Sequence, residues 1–409
     1  MAQADSTREP LRRVAAASST LRLGGSITFL CNLTGELVRR GVPAHVWSFA
    51  DARDSLAADF SLRQVPVQFI GFERLIFEDY IATALRSLAQ WRPTIYLANL
   101  GPDSFELLRY LPPGVFRVGM VQSDDPVWYA MLRHYHAHLD LVAAVSQRIK
   151  AKVEAMPEFA RTKVAYLPYG VPMPEQANLV RAASEPLRIL YFGRVEQEQK
   201  RVRLFPAIFR QLQESGIPFH WTIAGDGPER PALEAALRSS RPDQTVTFTG
   251  TVGYQQVPGI LAAHDVFLLA SDYEGLPLSL LEAMGHGLVP VVSDLPSGIR
   301  EVVDAGSGRL VDPAVTPGYA REIVWLHEHR AEMTALAAHA REKVWREFSV
   351  RAMTDRWLAT LPAPDPAAIV WPQRWSIRAP LAAKASPRFW PVARVVRRLL
   401  KKATAPVAA

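Results

Sequence analysis

Residues 266–293 read VFLLASDYEGLPLSLLEAMGHGLVPVVS. An apolar run ends at Ala270, a loop with Gly275 and Pro277 comes next, and a short helix begins near Ser279 before Gly287 and a second apolar run. A loop that feeds a helix start leaves backbone N–H groups unpaired at the positive end of the helix dipole, which suits a phosphate. Gly275 lets bare backbone come close to a ligand. Glu282, one turn past Ser279, cannot hold phosphate but can accept hydrogen bonds from ribose or sugar hydroxyls, and Glu274 can do the same for a sugar. The plainer alternative is a strand–helix unit with one solvated and one capping glutamate.

Arg194 and Lys200 come after Gly193 at the end of another apolar run. A forked guanidinium and an ammonium there could bind an anion such as a phosphate. With Arg201 and Arg203 beside them, they also read as a solvated basic loop. Gly24 and Gly25 precede an amphipathic stretch, either as a turn or as backbone laid against phosphates. The run Gly225-Asp226-Gly227-Pro228 reads first as a tight turn that shapes a nucleoside pocket. Asp124 and Asp125 read as caps of a helix from Pro126. Of His134, His136 and His138 only the outer two share a helical face, so a metal site is not expected.

These residues need a scaffold that brings distant loops together. Short apolar runs alternate with helical patterns, which implies parallel sheets with crossover helices. Strands are expected at 13–17, 44–49, 65–70, 94–97, 116–121 and 141–144, then at 187–192, 220–224, 246–249, 266–270 and 289–293. Helices are expected at 27–40, 231–239, 279–286, within 320–347 and at 353–361. The polar stretch 175–186 reads as a linker. Two such halves place a cleft between their strand C-terminal ends.

The chain has 409 residues, a formal net charge of +7 and a single cysteine, Cys31. That length allows two ordinary domains. One cysteine allows no intrachain disulfide and no cysteine-based zinc site, and fits a reducing compartment. The polar N-terminus gives no reason to expect a secretory signal. No apolar run approaches the ~18 residues of a spanning helix. Nine of the 47 basic side chains and none of the 40 acidic ones lie beyond Asp365, leaving 38 against 40 over residues 1–365. The basic charge therefore belongs to the tail, and a nucleic-acid-binding body is not expected.

The stretch from Glu274 to Glu282, EGLPLSLLE, closely resembles the Glu-x7-Glu signature of GT-B glycosyltransferases, in particular family four. LYFGRVEQEQK at 190–200 is similar to that family's Gly-Arg…Lys element, and TIAGDGP at 222–228 to its Gly-x-Gly-Pro turn. PVVSD at 290–294 with GIREV at 298–302, the junction residues Val145-Ser146 and Tyr169-Gly170-Val171, and Gly24-Gly25 add to the likeness. The matches run over residues 12–360 in the family's order, densely in the second half and loosely in the first.

The resemblance implies an α/β GT-B fold of two Rossmann-like doubly wound parallel sheets facing across a cleft. It implies an N-terminal acceptor-side domain over 1–178, a nucleotide-sugar-binding domain over 186–345, a helix at 346–361 packing back on the first domain, and a basic tail at 362–409. The implied activity is retaining transfer of a hexose from a nucleotide-diphosphate sugar, with no cofactor or metal. Arg194 and Lys200 would meet the donor pyrophosphate and Glu282 the ribose. Glu274 would meet the donor sugar together with Gly275, Leu276, Pro277 and Leu278. Gly24, Gly25, Gly193, Gly225 and Gly227 would complete the donor pocket. Gln122 stands where many members carry a histidine near the transferred sugar, so the resemblance makes Gln122 and Asp124 candidates for contacts to the sugar or the acceptor, although an amide cannot serve as acid or base near neutral pH. A catalytically inactive nucleotide-sugar-binding or scaffold protein is the alternative from a different class.

From Pro391 the tail places Val392, Val396, Leu399 and Leu400 on one helical face and Arg394, Arg397, Arg398 and Lys401 on the other. Such a basic amphipathic helix over 387–402 suits an anionic membrane surface, a helix docked on the body, or a solvated tail. The resulting expectation is a cytoplasmic protein, peripheral on the inner membrane face if the tail binds, acting on a saccharide or lipid-linked acceptor.

Overall fold

The computed structural model describes residues 12–49, 56–71, 77–174, 186–238, 246–363 and 365–377. All but the last residue of the expected 175–186 linker, and the expected 387–402 helix, lie outside the described residues.

The first half is a seven-stranded sheet built from β1 (Val14–Ser18), β2 (Ala44–Ser48), β3 (Val67–Phe69), β4 (Ile95–Leu100), β5 (Phe116–Val121), β6 (Leu141–Ala144) and β7 (Lys163–Tyr166). Its spatial order is β3-β2-β1-β4-β5-β6-β7. The second half is a six-stranded sheet of β8 (Leu187–Phe192), β9 (Phe219–Ala224), β10 (Val246–Gly250), β11 (Val266–Leu269), β12 (Val289–Ser293) and β13 (Arg309–Val311), ordered β10-β9-β8-β11-β12-β13. Every paired strand runs parallel. Helices cover both faces, so central strands such as VAAAS and VPVVS are buried along their whole length and read as unbroken apolar runs rather than alternations.

The edge strands β3, β7, β10 and β13 carry no such run, and of these β7 and β13 also escape the sequence pattern. Of the last two, β7 is half-exposed with Lys163 at its start, and β13 is three residues long between Gly308 and Asp312. An edge strand buries too little side chain to impose an apolar pattern.

Counted from its own first strand, each sheet has the order 3-2-1-4-5-6, with β7 added as a seventh strand at the edge of the first. The direction of winding therefore reverses between β1 and β4 and again between β8 and β11. Crossover helices leave these points on opposite faces, so a crevice opens there at the strand C-terminal ends.

The chain then returns to the first half. Helices Pro317–Glu328 and Arg330–Phe348 belong to the second sheet's layer. Ser349 caps the next helix, Val350–Thr360, by accepting from Ala352 N at 3.1 Å. That helix packs on Gly25–Arg39: Trp357 is fully buried with its ring 6.3 Å from Phe29, and Asp355 pairs with Arg40. Val171 and residues 348–350 exchange backbone hydrogen bonds of 2.9 and 3.0 Å, so the two chain crossings between the halves lie side by side. Residues 365–377 also rest on the first half, with Trp375 Nε1 donating to the Tyr110 carbonyl at 3.2 Å.

Candidate active site

Loops from the C-terminal ends of both sheets line a cleft of about 540 Å³. Of the residues singled out from the sequence, Gly24, Gly25, Gln122, Gly193, Arg194, Lys200, Gly225, Glu274, Gly275, Leu276, Pro277, Leu278 and Glu282 line it. Gly227 and Asp124 do not.

Two helices start in the cleft, Gly25–Arg39 after β1 and Leu278–Gly285 after β11. Neither has a capping side chain, and neither has an acidic residue in its first turn. Their first N–H groups therefore have no anionic neighbour from their own helix, and two positive helix ends meet at one place. The second start sits close to the facing half because residue 275 is glycine. A Cβ there would fall 2.6 Å from the Gln122 carbonyl oxygen, and a Cβ on Gly25 would lie 3.5 Å from the Leu278 side chain.

Glu274 is held rather than free. Its Oε1 accepts from Lys200 Nζ at 2.5 Å and from Ser271 Oγ at 2.6 Å, and its Oε2 accepts from Gln199 Nε2 at 3.2 Å. A carboxylate offers roughly four lone-pair directions, so about one remains for a ligand hydroxyl. The Lys200–Glu274 pair is nearly sealed, with side-chain exposures of 12% and 6%. Arg194 stands further out, two-thirds exposed, between Glu196 at 3.0 Å and the Gln199 amide at 2.7 Å.

Glu282 is the opposite case. It is buried and faces the cleft with no hydrogen-bond or ion-pair partner for its carboxylate among the described residues. Burial alone pushes its carboxyl up to about 8. A group in that position gains from hydroxyls that donate to it.

The facing wall is neutral. Gln122 Nε2 donates to the Asn99 carbonyl at 2.9 Å and to its side-chain oxygen at 2.5 Å, while Gln122 Oε1 accepts from Tyr169 at 3.0 Å. Both donors of the expected sugar contact are thus spent inside the first half. Asp124 sits in a separate knot, accepting from Tyr129 at 2.6 Å, Lys152 at 2.6 Å and Arg148 at 2.8 Å. Burial raises its carboxyl, but the hydrogen bonds from Lys152, Tyr129 and Arg148 outweigh that and hold it below the ordinary value. It serves packing near the rim, not the cleft. Asp125 caps the Pro126–Tyr135 helix by accepting from Val127 N at 2.8 Å.

Gly225 and Gly227 act through the backbone. Gly225 has φ 136° and a Cβ there would meet the Gly193 carbonyl oxygen at 1.9 Å, so it allows the β8 and β9 ends to touch. A Cβ on Gly227 would strike the Val195 carbonyl oxygen at 2.3 Å, which places its role in the turn. Among the described residues no group of three His, Cys, Asp or Glu side chains is placed to hold a metal. No described helix is long and apolar enough to cross a membrane.

Sequence reasoning misses several site residues. Gln199 lies beside Lys200 and reads as part of a charged run, and Ser271 gives no signal. Tyr254 also lines the cleft; its hydroxyl donates to Asn32 Oδ1 at 2.9 Å and accepts from Arg63 at 2.7 Å, tying the halves together. Nothing local to Tyr254 announces that contact, which depends on helix Gly25–Arg39 arriving from 222 residues away.

Two family models match the chain: Glycosyltransferase Family 4 over residues 23–173 and Glycosyl transferases group 1 over residues 186–329. The putative colanic acid biosynthesis glycosyltransferase WcaL of Escherichia coli is 30% identical over 290 residues, covering 66% of this chain and 70% of the relative. The amylovoran biosynthesis glycosyltransferase AmsK of Erwinia amylovora is 33% identical over 43% of this chain and 45% of its own. Among solved structures, Anabaena HepE in complex with UDP matches with a TM-score of 0.68 at 17% identity, covering 85% of this chain and 99% of that one. Staphylococcus aureus TarM matches with 0.70 at 12% identity over 85% and 99%. With its two facing Rossmann-like sheets and both family regions in sequence order, the chain belongs to the family-four, group 1 glycosyltransferases and is a transferase of the GT-B fold.

Proposed function

We propose that the protein transfers a hexose from a nucleotide-diphosphate sugar to a saccharide or lipid-linked acceptor, with retention at the anomeric carbon and without a metal ion. The observation that carries this reading is the meeting of two uncapped helix starts with Lys200 and Arg194 in one cleft beside the unpartnered Glu282. The helix N–H groups and the two cations would take the diphosphate, whose charge grows as the glycosidic bond breaks. Glu282 would accept from ribose hydroxyls, and the remaining direction on Glu274 from a hydroxyl of the sugar. Gln122 cannot act as acid or base, and its amide is already committed. The departing diphosphate itself would then receive the acceptor's proton on the face it leaves, and no enzyme nucleophile is required.

The relatives named for colanic acid and amylovoran biosynthesis support a role in polysaccharide biosynthesis, and the UDP bound to HepE supports a uridine donor. Turnover of a panel of UDP-, GDP- and ADP-sugars, read as nucleoside diphosphate release in the presence of EDTA, tests the donor class and metal independence. NMR of the product's anomeric proton tests the stereochemistry. An inverted product, or release abolished by EDTA and restored by a divalent ion, would sink the corresponding part.

The basic tail supports a second contact, with an anionic membrane. Residues 365–377 rest on the first half through Trp375, so the basic C-terminal segment is tethered to the acceptor-side domain. Co-sedimentation with phosphatidylglycerol vesicles should fall sharply when Arg394, Arg397, Arg398, Lys401 and Lys402 are changed to Gln. Equal binding would remove the membrane role.

A further inference from the structure

We infer that Gln199 is a positioning residue that aims Arg194 at the diphosphate of the donor and Glu274 at its sugar. This rests on the cleft being the nucleotide-sugar site. Gln199 stands in the loop after β8 and lines the cleft. Its side-chain oxygen accepts from Arg194 Nη2 at 2.7 Å. Its side-chain nitrogen donates to Glu274 Oε2 at 3.2 Å and to the Tyr273 carbonyl at 3.1 Å. The amide orientation is dictated by its partners: a guanidinium can only donate, and a carboxylate and a carbonyl can only accept. A flipped amide would break all three contacts.

The alternative role, fastening the β8 loop to the β11 loop, is supplied by other groups. Asp272 N donates to the Gln199 backbone carbonyl at 2.9 Å, Arg201 pairs with Asp272 at 3.1 Å, and Lys200 pairs with Glu274 at 2.5 Å. None of these needs the Gln199 side chain. What that side chain adds is direction. Arg194 is two-thirds exposed, and a long exposed side chain otherwise samples many rotamers. Through one amide it is referred to Glu274, whose other oxygen carries Lys200 and Ser271. The groups expected at the diphosphate and at the sugar are thus set at a fixed spacing. Misaiming by even about an ångström is costly to a reaction that depends on alignment.

The test compares Gln199→Met, which keeps the length and loses every hydrogen bond, with Gln199→Glu, which still accepts from Arg194 but sets a carboxylate against Glu274. Three readouts are taken: kcat and KM for the best sugar-nucleotide, nucleoside diphosphate affinity by calorimetry, and the thermal midpoint. Gln199→Met is expected to lower kcat about tenfold (roughly 1.4 kcal/mol) while nucleoside diphosphate affinity changes less than about threefold and the midpoint stays in place. Gln199→Glu is expected to lose more turnover than Gln199→Met. Two outcomes would overturn the inference: both variants within about twofold of wild-type kcat, or a loss of activity matched by a lowered midpoint and recovered on cooling. Should Gln199→Met fail to fold, wild-type kcat in Gln199→Glu would by itself overturn the link to Glu274. If the wild-type chain neither binds a nucleoside diphosphate of the panel nor releases one, the donor reading fails instead, which separates the two.

Discussion

The two walls of the cleft are built on the same strand order and use different chemistry. The wall from the second sheet carries charge that is already paired: Lys200 with Glu274, Arg194 with Glu196, and Gln199 between them. The wall from the first sheet offers glycine backbone, a helix start and a sealed amide network of Gln122, Asn99 and Tyr169. A ligand's charge would therefore meet charged side chains from one wall only and uncapped helix starts from both. The charged wall does not wait as bare cations, because a buried unpaired ammonium is costly. A diphosphate must compete with Glu274 for Lys200, which favours a ligand that supplies more than one negative oxygen.

The comparison breaks most visibly at Lys200. Lys200→Ala should lower kcat by about 10²–10³, the magnitude found for removing one donor to a developing anion. Steady-state kinetics that left kcat within tenfold would show that the charged wall is not where catalysis is driven. On the neutral wall the dominant loss should be stability. Gln122→Ala would leave the Asn99 oxygens and the Tyr169 hydroxyl without their buried partner, at a cost of about 1–3 kcal/mol, read from denaturant unfolding. Turnover per folded molecule should fall by less than for Lys200→Ala. The reverse order would assign Gln122 a direct part in transfer.

Glu282 gives an effect confined to one window of pH. Its folded-state value of about 8 lies above the ordinary 4.5, so the folded protein holds this proton more tightly than the unfolded chain. Stability contributed by the protonated form is full below about 4.5 and is lost as pH rises towards about 8. Wild-type midpoints should therefore fall relative to Glu282→Gln across that window. Ribose hydroxyls donating to the carboxylate favour its charged form, so donor binding near pH 7 should release up to about one proton, seen as buffer-dependent heats in calorimetry. No buffer dependence beyond that of Glu282→Gln would place the ribose elsewhere.

Much of this is legible in the residues, for identifiable reasons. Central parallel strands are buried on both faces, so β5, β6, β8 and β12 announce their full extents, whereas the edge strands β7 and β13 do not. Residues in the loops just after β8 and β11 can be read because those loops sit at a switch point, where position and function coincide. Gln122 stands out as an amide, but its commitment to Asn99 and Tyr169 depends on neighbouring strands and a loop 47 residues away. Asp124 looks like a cleft residue because it comes just after β5. The helix Gln147–Glu154, which supplies Arg148 and Lys152, claims it instead. Side chains that answer to distant elements leave no local mark.

The paired backbone at Val171 and residues 348–350 sets the mechanics of the whole molecule. Two crossings bonded side by side have the geometry of a double-leaf pivot: rocking of the halves about it would keep both hydrogen bonds, whereas sliding past each other would tear them. Beyond the pivot, the last long helix travels with the opposite half, locked by Trp357 against the helix that begins at Gly25. Any widening of the gap would swing the Gly25 helix start away from the Leu278 start along an arc. The spacing of the two helix starts is then the quantity that such rocking would tune.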